Sequence, residues 1–418
     1  MSKKGSVSAR RLTELGGRNA TALQTEDLRV LVDDQGGMVS ELSSRYERGY
    51  LNAHWLPWFR GNGGGDFDPA KHGSFWKAKL LYHLAGNFPC VPNFGPDHTV
   101  DGVFLPPHGW SANEEWKFQS LHTDEERGLA YALSTMESPD SKMPLVFRKI
   151  DAIQGGDPVH YTSMEVQNRG NTPIEINIAW HNTVGAPFLE AGCRISGAAD
   201  RWTTPPAGGE FDTTTRLAQG ADFKTLQKAP LRNGGAADIS VVPGMIGYTD
   251  MAVGAIPAQA DTGWSAVVNP ALKMAYICLF PGPHGRLENE IGLTFNALWM
   301  QYGGRPFTPW APFEGGSDLT YCLGTENSVG AYAYGLAYAR EHRKILDAPT
   351  TVTIPPQSSR ILRYGTLFAP YGGSVLDSGV SHIAVEERKI ICEGTGGKAT
   401  FSADGNFQLL KDLEKRIG

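Results

Sequence analysis

Short segments in which apolar and polar residues alternate recur along this chain, and turn-forming residues separate them. Residues 161–167 alternate, residues 168–171 supply a turn signal, and residues 173–181 alternate again. A spacing of two is that of a β-strand, because successive side chains point to opposite faces of a sheet. The 50 glycines and 27 prolines among 418 residues also favour many short strands joined by tight turns. The pattern predicts an all-β protein.

The same pattern predicts the organisation of the whole chain. No internal repeat is visible in the chain, and no change of composition marks a linker between domains. One large antiparallel β-sandwich is therefore the simplest architecture. Residues 328–340 fit either a helix or a buried strand. The predicted elements are hairpins over 28–42, 161–181 and 350–368, core strands at 271–280 and 291–299, a short strand at 389–392 and a helix at 407–416. The predicted units are a flexible N-terminal arm over 1–24, a single β-domain over 25–385 and a C-terminal strand and helix extension over 386–418.

Composition excludes several classes of function. A formal net charge of −6 leaves no broad basic surface, so nucleic acid is not expected as a partner. The chain contains no run of about 18 apolar residues, so no transmembrane helix is predicted. Its basic N-terminal segment lacks the apolar stretch of a secretory signal. Five scattered cysteines without a CxxC pair favour isolated buried thiols in a reducing compartment. We therefore expect a cytoplasmic protein and no membrane partner.

Residues 50–110 differ from the rest of the chain because they are rich in aromatic residues, Gly, Pro and His and show little periodicity. A long irregular segment of this composition often lines a pocket or covers the end of a sheet. It can equally be a folded loop that only completes the core.

Three residues near predicted strand ends could carry chemistry. His108 lies in the sequence Pro-Pro-His-Gly-Trp, His181 ends the alternating strand over 173–181, and Glu326 lies in Leu-Gly-Thr-Glu-Asn. Each also has a non-catalytic interpretation, as a loop-capping histidine or a surface carboxylate. The chain has no dinucleotide fingerprint after a strand, P-loop, nucleophile elbow or HExxH motif, so no cofactor and no metal are expected.

Together these motifs resemble the aldose 1-epimerase (galactose mutarotase-like) family. The resemblance covers residues 28–370 in order and also includes the turn at 168–173, the first hairpin and the strand over 350–357. It implies a β-supersandwich over residues 25–385 with a small-molecule carbohydrate bound on its concave face. It also implies that His181 is the general acid, Glu326 the general base and His108 a histidine that hydrogen-bonds the sugar.

The chain departs from the family pattern in ways that leave the substrate open. Asn327 follows Glu326 where the family has proline, and Asn-Thr-Val-Gly follows His181 where the family has x-Tyr-Phe-Asn. The family's substrate-binding arginine and aspartate have no firm match. Aromatic rings stack on sugar faces and amides pair with hydroxyls. The predicted substrate-binding residues are Arg60, Trp110, Asn182, Asp250 and Trp299.

Sugar mutarotation suits a carboxylate and an imidazole. A base removes the proton of the anomeric hydroxyl while an acid protonates the ring oxygen, and the reverse steps close the ring on the other face. Two alternatives remain open at this stage. One is a carbohydrate lyase or glycosidase that pairs Glu326 with Asp318 or Glu314, and the other is a sugar-binding protein without activity. The sugar and the oligomeric state are not predicted.

Overall fold

The computed structural model describes residues 5–15, 17–61 and 66–417. In the first third, five strands form an antiparallel meander in the order β1-β2-β3-β4-β5. The elements of this part are β1 (Val7–Leu15), β2 (Arg18–Thr25), β3 (Leu28–Asp33), β4 (Val39–Tyr46), β5 (Gly49–Asn52), α1 (Pro69–Trp76), α2 (Lys79–His83), β6 (Phe88–Cys90), β7 (His98–Val100), β8 (Val103–Leu105) and α3 (Trp110–Asn113).

The middle of the chain supplies most of one large sheet and part of a second. Its strands are β9 (Lys117–Asp124), β10 (Leu129–Glu137), β11 (Leu145–Gln154), β12 (Val159–Asn168), β13 (Ile174–Ile176), β14 (Ile178–His181), β15 (Thr183–Gly185), β16 (Arg194–Gly197), β17 (Arg201–Thr203), β18 (Asp222–Phe223), β19 (Ala229–Pro230), β20 (Ala236–Ala237), β21 (Tyr248–Ala255) and β22 (Thr262–Asn269). A 3₁₀ turn spans Leu226–Lys228.

The last third completes both large sheets and adds a small C-terminal unit. Its elements are β23 (Met274–Pro281), β24 (Phe295–Tyr302), β25 (Tyr321–Val329), α4 (Gly335–Glu341), β26 (Lys344–Ile345), β27 (Ala348–Pro349), β28 (Val352–Ile354), β29 (Ser358–Pro370), β30 (His382–Glu386), β31 (Lys389–Gly394), β32 (Gly397–Ser402) and α5 (Gln408–Ile417). The ambiguous segment 328–340 therefore holds the end of β25 and most of α4.

Two large antiparallel sheets face each other. The first, called the back sheet, has the order β16-β22-β23-β29-β12-β11-β10-β9. The second, called the front sheet, has the order β18-β17-β21-β24-β25-β14-β6, and β15 also pairs with β25. Phe147 and Met164 from the back sheet and Trp180 and Leu298 from the front sheet are fully buried in one apolar cluster between them. The all-β sandwich prediction is confirmed.

The two predicted hairpins over 161–181 and 350–368 are crossovers between sheets. Strands β12 and β29 pair with each other in the back sheet. Strands β13 and β28 pair with each other in a separate two-stranded sheet, and β14 belongs to the front sheet. The Asn168 side chain donates to the carbonyls of Thr172 at 2.8 Å and Ile354 at 3.1 Å, which stabilises the bend where the chain leaves the sheet. Alternation predicts a strand but does not identify its partner.

The two ends of the chain also form regular structure. Strands β1 and β2 take up most of the predicted flexible arm over 1–24, and Arg11 Nη1 donates to Asp34 Oδ1 at 2.7 Å. Some of their polar residues, such as Ser8 and Arg10, are exposed, while Thr21 is buried. Residues 1–4 and 16 lie outside the described residues. At the other end, β30, β31 and β32 form a small sheet, and Leu410 and Leu413 of α5 pack in one cluster with Tyr161 of the back sheet.

Candidate active site

The outer face of the front sheet carries the residues that the sequence singled out. In the register of β14 and β25, Trp180 lies opposite Asn327, so the next residues, His181 and Glu326, face each other on the other side of the sheet. The Trp180 ring stacks on Tyr364 of the back sheet at 5.3 Å between ring centroids, so that side is the interior. His181 and Glu326 therefore point away from the interior.

His181 and Glu326 form a buried pair whose polar atoms are in close contact. His181 Nε2 lies 3.2 Å from Glu326 Oε1, and both side chains are less than a tenth exposed. The other ring nitrogen, Nδ1, is 3.0 Å from Thr183 Oγ1. Phe88, the cross-strand neighbour of His181, stacks on the imidazole with centroids 4.5 Å apart and planes 14° apart. These contacts fix the orientation of the imidazole.

A glycine leaves space for the Glu326 carboxyl group. Gly324 lies two residues before Glu326 on the same face of β25, and a Cβ atom there would be 2.8 Å from Glu326 Oε1 and 3.1 Å from the Trp299 Cβ. A larger residue would displace the carboxyl group or the strand. The glycine of the sequence Leu-Gly-Thr-Glu therefore has a steric role.

A tight loop brings His108 to the same place. The backbone is left-handed at His108 (φ 58°) and Gly109 (φ 77°), and a Cβ at Gly109 would lie 2.3 Å from the Val91 carbonyl oxygen. The His108 N–H donates to the Gly95 carbonyl at 2.8 Å. Its ring lies edge-on to His181, with centroids 5.2 Å apart. His108 Nδ1 is buried without a hydrogen-bond partner among the described residues.

Burial favours the uncharged forms of all three groups. It raises the pKa of Glu326 well above its usual range, and the negative charge of Glu210 raises it further. Burial lowers the pKa of His181 well below its usual range, with His108 as the second cause. Burial alone lowers the pKa of His108 to about 4. Burial therefore disfavours a state of the His181–Glu326 pair in which both residues are charged.

His108, His181, Glu326 and Trp299 line one cavity of about 700 Å³. This volume is within the range of small-molecule binding pockets. Helix α2 and the loops around residues 95, 210, 305 and 333 form its remaining walls. Part of the aromatic-rich segment 50–110 lines the cavity, as one of the two interpretations of that segment predicted.

A second group of cavity residues was not found by sequence reasoning. Arg305 follows β24, and its guanidinium carbon lies 4.6 Å from the centre of the Trp310 ring and 5.4 Å from that of Trp299. Glu210 Oε2 is 3.4 Å from Arg305 Nη2. These residues come from long loops without periodicity, and the one available signal is the Gly303–Gly304 pair directly after a strand that carries Trp299.

Two predicted binding residues lie one position from a residue that lines the cavity. Asn182 follows His181 and points between the sheets, where it donates to Tyr364 Oη at 2.6 Å and accepts from Asn87 Nδ2 at 2.7 Å. Asp250 precedes Met251 and accepts from Arg216 Nε at 2.6 Å. Because side chains alternate along a strand, a shift of one residue moves a side chain to the opposite face.

Arg60 and Trp110 also lie outside the cavity. Arg60 pairs with Asp33 of the N-terminal sheet and donates from Nε to the His83 carbonyl at 3.2 Å. Its neighbour Phe59 is the residue that turns toward the cavity wall and contacts Trp310. Trp110 begins α3 and is buried in the apolar cluster between the sheets.

The carboxylates proposed to pair with Glu326 in a lyase or glycosidase do not line the cavity. Asp318 is buried and accepts from the backbone N–H groups of Arg305 and Thr320, both at 2.8 Å. Glu314 is exposed and accepts from Thr308 Oγ1 at 2.6 Å. Neither is therefore placed to act with Glu326 on a ligand in this cavity.

Comparison with solved structures identifies the fold. A protein from Klebsiella pneumoniae subsp. pneumoniae MGH 78578, provisionally described as an aldose 1-epimerase, is similar with a TM-score of 0.62 at 13% identity over 87% of this chain and 83% of that one. A galactose mutarotase-like protein from Clostridium acetobutylicum is similar with a TM-score of 0.56 at 10% identity over 87% and 99% of the two chains. The chain has the galactose mutarotase-like fold. No family model and no curated protein sequence matches it.

Three further findings concern metal-ligating groups, helices and cysteines. Within the described ranges, no three His, Cys, Asp or Glu side chains are grouped so that they could hold a metal ion. None of the helices described is long and apolar enough to cross a membrane. All five cysteines are buried and free of disulfides.

Proposed function

We propose that this chain is an enzyme of the aldose 1-epimerase type that interconverts the anomers of a sugar. The observation that carries the proposal is the buried pair of His181 and Glu326, 3.2 Å apart on the cavity wall. The anomeric hydroxyl oxygen and the ring oxygen of an aldose are bonded to the same carbon. An acid and a base that serve both oxygens must therefore lie within a few ångströms of each other, as these two side chains do.

One proton on the pair is sufficient for the reaction. We propose that the two oxygens of the bound sugar take the place of the direct contact between the two residues. One member of the pair takes the proton of the anomeric hydroxyl while the other gives its proton to the ring oxygen, and the C1 to ring-oxygen bond breaks. The aldehyde rotates about its C1–C2 bond, and reversal of the transfers closes the ring. By the family resemblance His181 is the acid and Glu326 the base in the opening step.

The surroundings support a sugar as the ligand. His108 presents a neutral imidazole whose Nδ1 has no partner among the described residues, which suits a sugar hydroxyl. Trp299 and Trp310 line the same cavity and give it aromatic walls of the kind that C–H groups of a sugar ring contact. We also propose a reducing, cytoplasmic location, which the five unpaired buried thiols support.

A glycoside hydrolase is the second candidate, because Glu210 places another carboxyl group in the same cavity as Glu326. Glu210 is paired with Arg305, however, and the pair that is within hydrogen-bonding distance is His181 and Glu326. The production of reducing ends from an oligosaccharide would favour this second candidate.

The test is the rate of anomer exchange measured by NMR over a panel of aldoses. We expect the wild-type protein to accelerate exchange of at least one sugar, and Glu326→Gln to lower that rate by about 10²-fold or more. Glu393→Gln, a partly exposed carboxylate of β31 paired with Lys398, is the matched control and should leave the rate unchanged. A rate that is the same in Glu326→Gln and in the wild-type protein would refute the proposal.

A further inference from the structure

Arg305 is an unusual feature of the cavity because its guanidinium group is charged and yet buried. The residue is 5% exposed. Its guanidinium carbon lies 4.6 Å from the ring centre of Trp310, 5.4 Å from that of Trp299 and 5.8 Å from that of Phe211. Three aromatic rings thus surround the planar group and restrict its rotation, which fixes the direction in which it can donate hydrogen bonds.

The hydrogen-bonding capacity of this group is not satisfied within the protein. Arg305 Nη2 is buried without a hydrogen-bond partner among the residues that the structure describes. Glu210 Oε2, at 3.4 Å, is too distant for a strong hydrogen bond, and the Glu210 side chain is more than half exposed. Asp318 accepts from the backbone N–H of Arg305 at 2.8 Å. A buried charge with an unmet donor is costly, and an anionic ligand would remove that cost.

The position of Arg305 relates it to the candidate catalytic pair. Trp299 is close to both, with its ring 5.4 Å from the Arg305 guanidinium carbon and 6.0 Å from the His181 ring centroid. A sugar bound beside Trp299 would therefore be near the catalytic pair and near Arg305. An anionic group on the part of the sugar away from C1 would meet the guanidinium.

We propose that the substrate is a sugar that carries a carboxylate, of the uronate class, and that Arg305 binds this carboxylate. This inference rests on the proposed function and names its substrate class. A planar carboxylate matches the fork of one guanidinium in a bidentate pair. A phosphate would call for further cations, but Lys77, another cation that lines the cavity, is about half exposed and pairs with Glu314 at 3.4 Å.

The test compares the affinities of matched sugars at constant ionic strength, measured by tryptophan fluorescence. The probes are glucuronate with glucose, galacturonate with galactose, and glucose 6-phosphate. We expect at least one uronate to bind about 10-fold to 100-fold more tightly than its neutral partner. Arg305→Gln should abolish that preference. Arg343→Gln, an exposed arginine paired with Glu175, is the control and should retain it.

Glu210→Gln provides a second, independent variant. It removes the carboxylate that competes for Arg305, so the affinity for the uronate should rise while that for the neutral sugar stays the same. Equal affinities for uronate and neutral sugar in the wild-type protein, a preference that survives in Arg305→Gln, or tighter binding of the phosphate than of the uronate would each overturn the inference.

Failure of the inference can be told apart from failure of the proposed function. Repeating the titrations in Glu326→Gln measures binding without the proposed base, and the uronate preference should persist there. Acceleration of neutral sugars alone would refute the uronate class and leave the epimerase proposal intact. A uronate preference without anomer exchange would refute the epimerase proposal and leave the carboxylate site.

Discussion

The protonation of His108 determines what this residue can do in the cavity, and it can be measured through protein stability. Burial lowers its pKa from 6.5 to about 4 in the folded protein, while in the unfolded chain the pKa returns to about 6.5. Between these values the unfolded chain binds more protons than the folded protein, so the free energy of unfolding rises with pH. The contribution of His108 is complete above about pH 6.5 and is lost as pH falls toward 4.

The size of this effect follows from the pKa difference. A fall from 6.5 to about 4 corresponds to about 3.5 kcal/mol in full, at about 1.4 kcal/mol per pKa unit, and about 3 kcal/mol of this is lost between pH 7 and pH 4. His108→Asn removes the titrating group, and asparagine tolerates the left-handed backbone (φ 58°) at this position. Between pH 7 and pH 4, we expect the wild-type protein to lose about 3 kcal/mol more free energy of unfolding than the variant.

The assay is urea unfolding followed by tryptophan fluorescence at pH 7, 6, 5 and 4. His122→Asn replaces an exposed histidine of β9 and should reproduce the wild-type dependence on pH. The difference between wild type and His108→Asn gives the contribution of His108 together with its effect on the pKa of His181, whatever the variant's stability at pH 7. Parallel losses of stability in wild type and His108→Asn would show that His108 is not held neutral by burial, and the reasoning would be refuted.

Three further predictions concern the surroundings of the pair. Gly324→Ala should lower the rate of anomer exchange by about 10²-fold, because its Cβ would displace the Glu326 carboxyl group, whereas Gly372→Ala, with no atom within 4 Å of its Cβ, should not. Glu210→Gln removes a negative charge that raises the pKa of Glu326, so this pKa should fall. The high-pH limb of the pH–rate profile should then move to lower pH, and a shift to higher pH would contradict this. Asn182→Ala should cost about 1–3 kcal/mol of stability in urea unfolding but leave the sugar KM unchanged, because its amide binds buried groups between the sheets.

The sequence was sufficient to predict several of the main strands and the residues on which the proposal rests. His181 ends a strand with clear alternation. Glu326 follows Gly324 by two residues, a spacing that places Gly324 and Glu326 on the same face of β25. The resemblance supplied the order of the motifs along the chain. Their convergence then depends on the register of β14 with β25, which no local pattern encodes.

Three physical features limited the prediction of the rest. Strand patterns do not identify partners, so the crossovers at 168–173 and 355–357 were predicted as hairpins. A difference of one residue in a strand decides between cavity and interior, as at Asn182 and Asp250. Arg305 and Glu210 lie in loops, whose side-chain positions depend on contacts with distant residues rather than on periodicity.

The most direct test of the account is a double-mutant cycle on the anomer-exchange rate with His181→Asn, Glu326→Gln and the double variant. If the two side chains act as one unit that holds a single proton, each substitution removes about 10²-fold or more and the double variant is about as slow as the slower single variant. Independent losses that multiply in the double variant, or a single variant that keeps the wild-type rate, would contradict the claim that this pair performs the chemistry.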